Sequence, residues 1–417
     1  MRFPAFILFV ALPLLGQEAF TLPGGLRVQL FENHERPYVE VRAEIAWDRE
    51  DERGSLEGTG TFLGAVLEAG GAGPYNPSAW RRALDGQGIF LRFEAHPGRY
   101  IWTLQCPSGS QEAAFEFLAH AMARPLLDGP GVEIQRTRLF QEGQRRTPSE
   151  WAEERFRWEF LEGRPEGLLN DFRLARLSLE QLQLFQSLVL RPERTRLAIY
   201  GDLSPAQARQ LTQLHLGIWG PTTRTRPAGV NPASGPAPAG LALAQGLPEA
   251  RLALLAPEGN GEDLALLTLL LDQWIQHPAA AARGVDGRLL RVGDRPCLLL
   301  HTSGPPGTDP LQLFGGLRTW AEGLTSLTLG EEEIALARRL RKSQDSAAGL
   351  HPSHLLETSF YPAPSPPVST PTALKACLAR WLAPDRMRVL LLGIPALPTD
   401  HAALKGLGAI RWVRAKD

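Results

Sequence analysis

The sequence has few cysteines, no excess of charge of either sign, and no apolar run of bilayer length. Its 417 residues contain 3 Cys, too few for a disulfide framework. With 44 Lys plus Arg against 45 Asp plus Glu, the net charge is −1, which does not favour a polyanionic partner. We therefore expect buried thiols, no nucleic-acid binding and no stable membrane span.

The N-terminus has the layout of an export signal. Met1 and Arg2 form a short positive end, Phe3 to Leu15 is almost wholly apolar, and Gly16 is a small residue before Gln17. The apolar stretch is shorter than the roughly 20 residues that span a bilayer. We interpret residues 1–16 as a cleaved signal peptide, which predicts a periplasmic or secreted protein. A buried first helix is the alternative, and an uncleaved signal would act as an anchor.

Period-two and helical patterns alternate along the first half of the chain. Gly25 to Glu32 and Tyr38 to Trp47 are predicted to be paired strands, because Val39, Val41 and Ile45 alternate with charged residues. Further strands are predicted at Ile89 to Glu94 and Tyr100 to Cys106. Helices are predicted at Glu57 to Ala69, Gln111 to Arg124 behind a Ser110 cap, Val132 to Gln144 and Ser149 to Glu162. This order favours an α+β layer sandwich with a mainly antiparallel sheet.

One segment of the chain recurs. LRPERTRLAIYG at 190–201 is repeated as LAPDRMRVLLLG at 382–393, an offset of 192 residues, and predicted helices begin at the same offset at Ser178 and Thr370. A long-period repeat of this kind indicates a duplicated structural unit. We predict two homologous α/β layer-sandwich domains, each a mainly antiparallel sheet flanked by helices.

A proline-rich stretch separates the two predicted domains. Prolines stand at 221, 227, 232, 236 and 238, with almost no large apolar residue between them, which is typical of a stiff, exposed linker. The predicted organisation is a signal peptide at 1–16, an N-terminal domain at 17–220, a linker at 221–240 and a C-terminal domain at 241–417.

Aromatic and basic residues interleave in and just after the fourth predicted helix. Such a cluster could stack on nucleic acid, but the near-neutral charge and the export signal favour a core packed beneath a solvated basic face. The residues are Trp151, Phe156, Trp158, Phe160 and Phe172, with Arg155, Arg157 and Arg164 between them.

The chain resembles a known family of enzymes. The resemblance lies in TLPGGLRVQL at 21–30, in IYGD at 199–202, in the helix tail from Leu211 to Trp219, and in the duplicated halves. These features resemble the insulinase/pitrilysin-type zinc metallopeptidases, in the branch of mitochondrial processing peptidase and its bacterial relatives. The resemblance implies two α+β domains that enclose a chamber in which an extended peptide is cleaved.

The resemblance also implies a zinc site, which this sequence departs from. Such enzymes carry H-x-x-E-H on the first helix, two His as ligands and Glu to handle the proton of the attacking water. Here Thr61, Gly64 and Ala65 occupy those positions, and Glu142 has the spacing of the third ligand. None of the nine His residues forms an equivalent motif. One carboxylate does not build a His₂Glu site, so we expect a vestigial site with no catalytic residue and no bound metal.

Three functions remain compatible with this pattern. In heterodimeric members of the family one chain carries zinc and its partner holds substrate through an Arg/Tyr pair, but no tyrosine lies between Tyr200 and Tyr361 here. Substrate-binding residues are therefore unassigned. We favour a non-catalytic partner of a zinc-bearing homologous subunit, with zinc only in that subunit and peptides in a shared chamber. The alternatives are an autonomous scaffold or binding protein with the peptidase fold, and an active metallopeptidase with unusual ligands.

Overall fold

The computed structural model describes residues 16–164, 167–220, 239–257, 262–275, 285–292, 295–326, 329–348, 356, 370–396, 401–405, 407 and 409–413. Within these ranges the chain forms two six-stranded sheets with helices packed against them. The predicted α+β class is confirmed. We call residues 16–220 the N half and residues 239–413 the C half. In the described part of the chain, no helix has the length and apolar character needed to cross a bilayer.

The N half contains one mixed sheet, in the strand order β1-β2-β6-β3-β5-β4. Its strands are β1 (Gly16–Thr21), β2 (Arg27–Glu32), β3 (Tyr38–Ala46), β4 (Phe90–His96), β5 (Arg99–Pro107) and β6 (Thr195–Gly201). Its helices are α1 (Thr59–Ala69), α2 (Pro77–Gly86), α3 (Gln111–Ala123), α4 (Gly129–Arg145), α5 (Pro148–Arg155), α6 (Asp171–Arg176), α7 (Leu179–Val189) and α8 (Pro205–Leu216). A π-helical turn, Phe156–Leu161, continues α5.

The C half repeats this arrangement, in the strand order β12-β7-β11-β8-β10-β9. Its strands are β7 (Gly240–Leu243), β8 (Glu249–Leu255), β9 (Asp286–Val292), β10 (Arg295–Ser303), β11 (Met387–Leu392) and β12 (Ile410–Val413). Its helices are α9 (Glu262–Ile275), α10 (Pro310–Gly323), α11 (Glu331–Ala348) and α12 (Pro371–Trp381). The order β2-β6-β3-β5-β4 matches β7-β11-β8-β10-β9, with the same parallel and antiparallel pairs.

The sequence repeat falls in like elements of the two halves. Ser178 and Thr370 are the N-cap residues of α7 and α12, and each side-chain oxygen accepts a hydrogen bond from the third backbone N–H of its helix. A 3₁₀ turn follows each helix, at Pro192–Arg194 and Pro384–Arg386, and leads into β6 or β11. The predicted duplication is therefore confirmed.

Two local predictions are wrong. The strands β2 and β3 are not paired with each other, because β6 lies between them, parallel to β2 and antiparallel to β3. The consecutive residues Leu197, Ala198 and Ile199 of β6 are all buried, and a strand that is apolar on both faces belongs inside a sheet. Ser110 precedes α3 but makes no side-chain cap; its hydroxyl donates to the carbonyl of Gln87 at 2.9 Å.

The helix α2 has no counterpart among the predicted elements, although the sequence contains its start signal. Asn76 is the N-cap residue, and its side chain accepts a hydrogen bond from the N–H of Ala79 at 2.9 Å. Pro77 follows at the first helical position, where its missing N–H costs nothing.

Each sheet has its main core on the face that carries most of its helices. Large buried side chains of the N core are Leu30, Ile45, Phe62, Phe115 and Phe185. Those of the C core are Leu252, Leu254, Leu267, Phe314 and Trp381.

The second face of each sheet is contacted by a segment from the other half. We call residues 148–161, α5 with its π-helical turn, the strap. Phe156 and Phe160 of the strap are 2% and 5% exposed and belong to one buried cluster with Leu241 and Leu390 of the C sheet. In the opposite direction, Leu356 forms a buried cluster on the N sheet with Phe31 and Ala198. The interpretation of the aromatic cluster as core is therefore confirmed for Phe156 and Phe160, but it is wrong for Phe172, which is 68% exposed.

The predicted linker falls mostly outside the described residues, which omit 221–238. Its last predicted residue, Gly240, begins β7, parallel to β11. A Cβ at position 240 would lie 2.4 Å from the carbonyl oxygen of Val389, so this strand position requires glycine. The predicted boundaries of the two domains remain predictions.

Candidate functional site: a zinc-helix position without ligands

The helix α1 carries the three positions that the resemblance assigns to zinc chemistry, and it begins without a capping side chain of its own. Its N-cap residue is Gly58, at φ +83°, a backbone conformation that favours glycine. The carboxylate of Glu52 takes over the capping role, because its Oε1 accepts a hydrogen bond from the N–H of Gly60 at 2.9 Å. A carboxylate at a helix N-terminus is also favoured by the helix dipole.

Glu52 and Tyr100 fix the first turn of α1 from inside the core. Glu52 is 1% exposed and also accepts a hydrogen bond from Nε1 of Trp47 at 3.3 Å. The hydroxyl of Tyr100 donates to the carbonyl of Gly60 at 2.6 Å. Burial, together with the charge of Glu52, holds the pKa of the Tyr100 phenol well above its ordinary value. Tyr100 is therefore a neutral hydrogen-bond donor here and not a general base.

The three zinc-helix positions have other uses in this structure. The Thr61 hydroxyl donates to the carbonyl of Gly167 at 2.7 Å. Ala65 is buried, at 8% exposure. At Gly64, an added Cβ would lie 2.7 Å from the Cβ of Ala95 in β4. A glutamate at position 64 has no room in this packing.

Glu142, the fourth predicted position, lies on α4 but is engaged elsewhere. The helix α4 packs on α1, with the Arg136 guanidinium 5.1 Å from the centre of the Phe62 ring. The side chain of Glu142 is 45% exposed and pairs with Arg138, one turn earlier, at 3.2 Å. The structure thus brings together positions 61, 64 and 65 on one helix and places Glu142 on a helix beside it.

These residues do not fit a zinc ion. Thr61 is a poor zinc ligand whose hydroxyl is already used, Gly64 and Ala65 have no donor atom, and Glu142 supplies a single carboxylate. Across the described ranges, no three His, Cys, Asp or Glu side chains are grouped so that they could hold a metal ion.

A cleft of about 280 Å³ lies at the C-terminal end of α1, between Leu67 to Ala69, the helix α2 and the edge strand β4. Its apolar walls include Trp80, Phe93 and Trp102, and its polar groups are Glu68, Arg81 and Asp85. Phe90, at the start of β4, is 57% exposed. The cleft has the character of an apolar side-chain pocket. Sequence reasoning missed it because its walls come from several separate elements, although Trp80 was a visible signal.

Among the residues that the structure describes, the other reactive groups do not form a second catalytic arrangement. His34 lies between Asp202 and Glu32, with ring nitrogens 2.6 Å and 2.8 Å from the two carboxylates. Ser108 donates to Asp202 at 2.6 Å, so its hydroxyl is not activated by the histidine. Burial raises the pKa of the Cys106 and Cys297 thiols to about 12, which makes both poor nucleophiles.

Solved structures share the fold of this chain. A protease from Helicobacter pylori superposes with a TM-score of 0.75 at 14% identity, over 91% of this chain and 100% of that chain. A peptidase M16 inactive domain from Pseudomonas fluorescens gives a TM-score of 0.70 at 16% identity, over 93% and 100%. No protein-family profile matches the sequence, and no curated protein matches it.

A longer neighbour contains the fold of this chain in part of its length. The periplasmic protease PqqL from Escherichia coli gives a TM-score of 0.66 at 13% identity, over 94% of this chain but 48% of that one. The chain therefore spans about half the length of PqqL. At these identities the comparisons establish a common fold, that of M16-type peptidases.

Proposed function

We propose that this chain is a non-catalytic, periplasmic partner of a zinc-bearing homologous subunit, and that the two enclose a chamber for peptides. The observation that carries the proposal is the state of α1. The resemblance assigns zinc chemistry to this helix, yet Thr61, Gly64 and Ala65 provide no His or Glu side chain, and an added Cβ at Gly64 would lie 2.7 Å from the Cβ of Ala95.

The lengths of the neighbours support a partner role. The sequence corresponds to about half of PqqL, so a second, homologous half would be needed for an assembly of that length. The inactive domain from P. fluorescens has the same extent as this chain. A chain of this size that has lost the zinc ligands but kept the fold is suited to form the second wall of a chamber.

The proposed chamber wall has a place for an apolar side chain. The cleft beside α1 borders β4, an edge strand with one side unpaired in the sheet order. Trp80, Phe93 and Trp102 line it, and Arg81 and Asp85 supply polar groups at its walls. Contact with peptides is therefore proposed for this cleft, while cleavage belongs to the partner.

Export by residues 1–16 is part of the proposal. Strand β1 begins at Gly16 and pairs with β2 in register from Gly16–Glu32 to Thr21–Arg27. Cleavage after Gly16 would keep the pairs from Gln17 onward, so maturation is compatible with the sheet. Mass spectrometry of the chain from the periplasmic fraction should give Gln17 as the first residue.

Purification of the tagged full chain from its native host tests the partner role. We expect a second chain that contains H-x-x-E-H, present in equal amount, with about one zinc per complex that leaves with that chain. The matched control is the tagged chain expressed alone, which should contain no stoichiometric zinc and cleave no unfolded peptide. A monomer in the host would favour the scaffold alternative. One zinc in the isolated chain, with chelator-sensitive cleavage, would overturn the proposal.

A further inference from the structure

We infer that a second cleft, on the second face of the N sheet, binds an α-carboxylate, either the C-terminus of a peptide or a free amino acid. The cleft has a volume of about 360 Å³, which lies within the range of small-ligand sites. The inference concerns this chain alone and does not depend on a zinc-bearing partner. The charged residues that line the cleft are Arg27, Arg194, Arg196, Glu44 and Glu193.

Two of these arginines stand side by side in one row across the sheet. Arg27 of β2 is the register partner of Arg196 of β6, and Arg196 is in turn the register partner of Glu44 of β3. Residues in register on adjacent strands share a face of the sheet and are about 4.8 Å apart, so the two guanidinium groups repel each other. An anion bound between them removes that repulsion.

The two remaining charged groups of the cleft have partners of their own. Arg194 pairs with Asp51, which is 1% exposed, at 2.5 Å and 3.3 Å. Glu193 pairs with Arg191 at 3.8 Å. These groups therefore add little net charge to the cleft.

The balance of charge in the row favours a carboxylate as the ligand. Arg27 and Arg196 share the cleft with the single carboxylate of Glu44, which leaves one positive charge in excess among these three groups. A carboxylate matches this excess and the planar fork of an arginine. A phosphate dianion exceeds it, and Glu44 repels the second negative charge. In a free amino acid, the ammonium group is suited to lie toward Glu44.

The C half builds the same row without the extra charges. Arg388 lies at the repeat offset from Arg196, and its register partner in β8 is Ala253, where the N half has Glu44. On the β7 side the row has Ala239, one residue before the first register pair. The Arg388 guanidinium donates to two backbone carbonyls of its own corner, at 2.8 Å and 3.0 Å. The fold therefore does not require a second arginine or a glutamate in this row, and a ligand explains their presence in the N half.

Calorimetric titration of the purified full chain tests the site. The probes are N-acetyl-trialanine with a free C-terminus, the same peptide as its C-terminal amide, and free alanine. We expect at least one of the two carboxylates to bind at millimolar concentration and the amide not to bind, because the amide carries no charge for the arginines. Tighter binding of the peptide acid assigns the site to peptide C-termini, and tighter binding of alanine assigns it to amino acids.

Variants of Arg27 tie the binding to the cleft. Arg27→Gln should weaken it about tenfold or more, because a hydrogen-bonded charge pair is lost. Arg27→Lys keeps the charge but not the planar fork, so its loss should be smaller. Arg27 is exposed, so both variants should keep the wild-type Tm. The matched control is Arg92→Gln, on the same face of the sheet in β4, 64% exposed and paired with Glu94; it should leave the affinity unchanged.

Four results would overturn the inference. They are the absence of binding by both carboxylates, equal binding of the peptide acid and its amide, unchanged affinity in Arg27→Gln, and tighter binding of inorganic phosphate than of either carboxylate.

Discussion

The central strands β3 and β8 show how the two halves differ within one plan. Their registers align Glu40 with Glu249 and Arg42 with Arg251, because each pair faces matching residues of β6 or β11. Arg251 bonds to Glu249 and also pairs with Glu153 of the strap at 2.7 Å.

The N half has the same two charged residues, Glu40 and Arg42, but they make different contacts. Glu40 accepts a hydrogen bond from Gln105 at 3.3 Å. Within the described residues, the Nε of Arg42 is buried with no hydrogen-bond partner. Duplication has preserved the charged positions, while the contacts that neutralise them differ between the halves.

The second faces of the two sheets also carry different residues at matching positions. In the C sheet this face carries Leu241, Leu390 and Leu392, all buried against the strap. The N sheet has Gln29, Ala198 and Tyr200 at the matching register positions. The C half therefore depends more on the hydrophobic effect of a segment that the N half supplies. The halves are units of sequence, but each completes its core with side chains from the other.

Among the predicted changes, loss of a strap phenylalanine should lower the stability most. Phe156→Ala removes a side chain that is 2% exposed, and a buried Phe→Ala change costs about 3–5 kcal/mol. Cys297 belongs to the same buried cluster, so its thiol should react with a maleimide many times faster in the variant. Cys106, in the N core, is the internal reference.

The matched control for this variant is Phe172→Ala, which removes an aromatic ring that is 68% exposed. It should leave both the Tm and the thiol reactivity nearly unchanged. Equal acceleration at Cys106 and Cys297 in Phe156→Ala would contradict a local role for the strap and would indicate global unfolding.

Replacement of Arg251 or of Arg42 should change the stability less than Phe156→Ala does, and by a different amount at each position. Arg251→Met leaves Glu249 without its guanidinium partner in a side-chain environment that is only 13% exposed, and we expect a loss of about 1–3 kcal/mol. Arg42→Met removes a buried, unpaired Nε and keeps much of the volume, so a change within about 1 kcal/mol is expected. Chemical denaturation measures both. Equal losses would show that the two positions are equivalent after all.

Local patterns predicted the elements of this fold better than their assembly. The alternation in β3 and the repeated Pro-acid-Arg corner before β6 and β11 are properties of short segments, and the structure confirms both. The insertion of β6 between β2 and β3 depends on residues more than 150 positions apart in the chain. The amphipathic pattern of the strap predicts a helix but not which sheet it covers.

The candidate site shows the same limit. The absence of ligands at Thr61, Gly64 and Ala65 is visible in the sequence once the resemblance is stated. The contact between Gly64 and Ala95 is not visible, because a glycine in a helix usually signals only low helix propensity. Only the packed structure shows that this glycine is required by a neighbouring strand.

The smallest predicted effect concerns the corner where β2 and β6 end, which carries titratable side chains in the N half. Asp202 of this corner corresponds, at the repeat offset of 192, to Ile394, which is buried in the C core. The hydrogen bonds that the His34 ring makes to the carboxylates of Asp202 and Glu32 raise the pKa of His34 above its ordinary value. Both ring nitrogens face carboxylates, so the doubly protonated ring satisfies both contacts.

The sign of the pH dependence follows from that direction. A folded-state pKa above the unfolded value of about 6.5 means that His34 stabilises the fold fully below that pH, and that its contribution fades as the pH rises through the folded-state pKa. The pKa of Asp202 is lowered by the His34 hydrogen bond, so its own contribution is lost only in acid, below about 3.9. The Tm difference between wild type and His34→Gln should therefore be largest near pH 5–6 and close to zero at about pH 9. The control is His401→Gln in the C half, where Nδ1 accepts a hydrogen bond from the N–H of Ala403 at 3.2 Å. If the Tm difference between wild type and His34→Gln is the same at every pH, His34 contributes packing and not charge. The corner of the N half would then be more similar to that of the C half than its titratable groups imply.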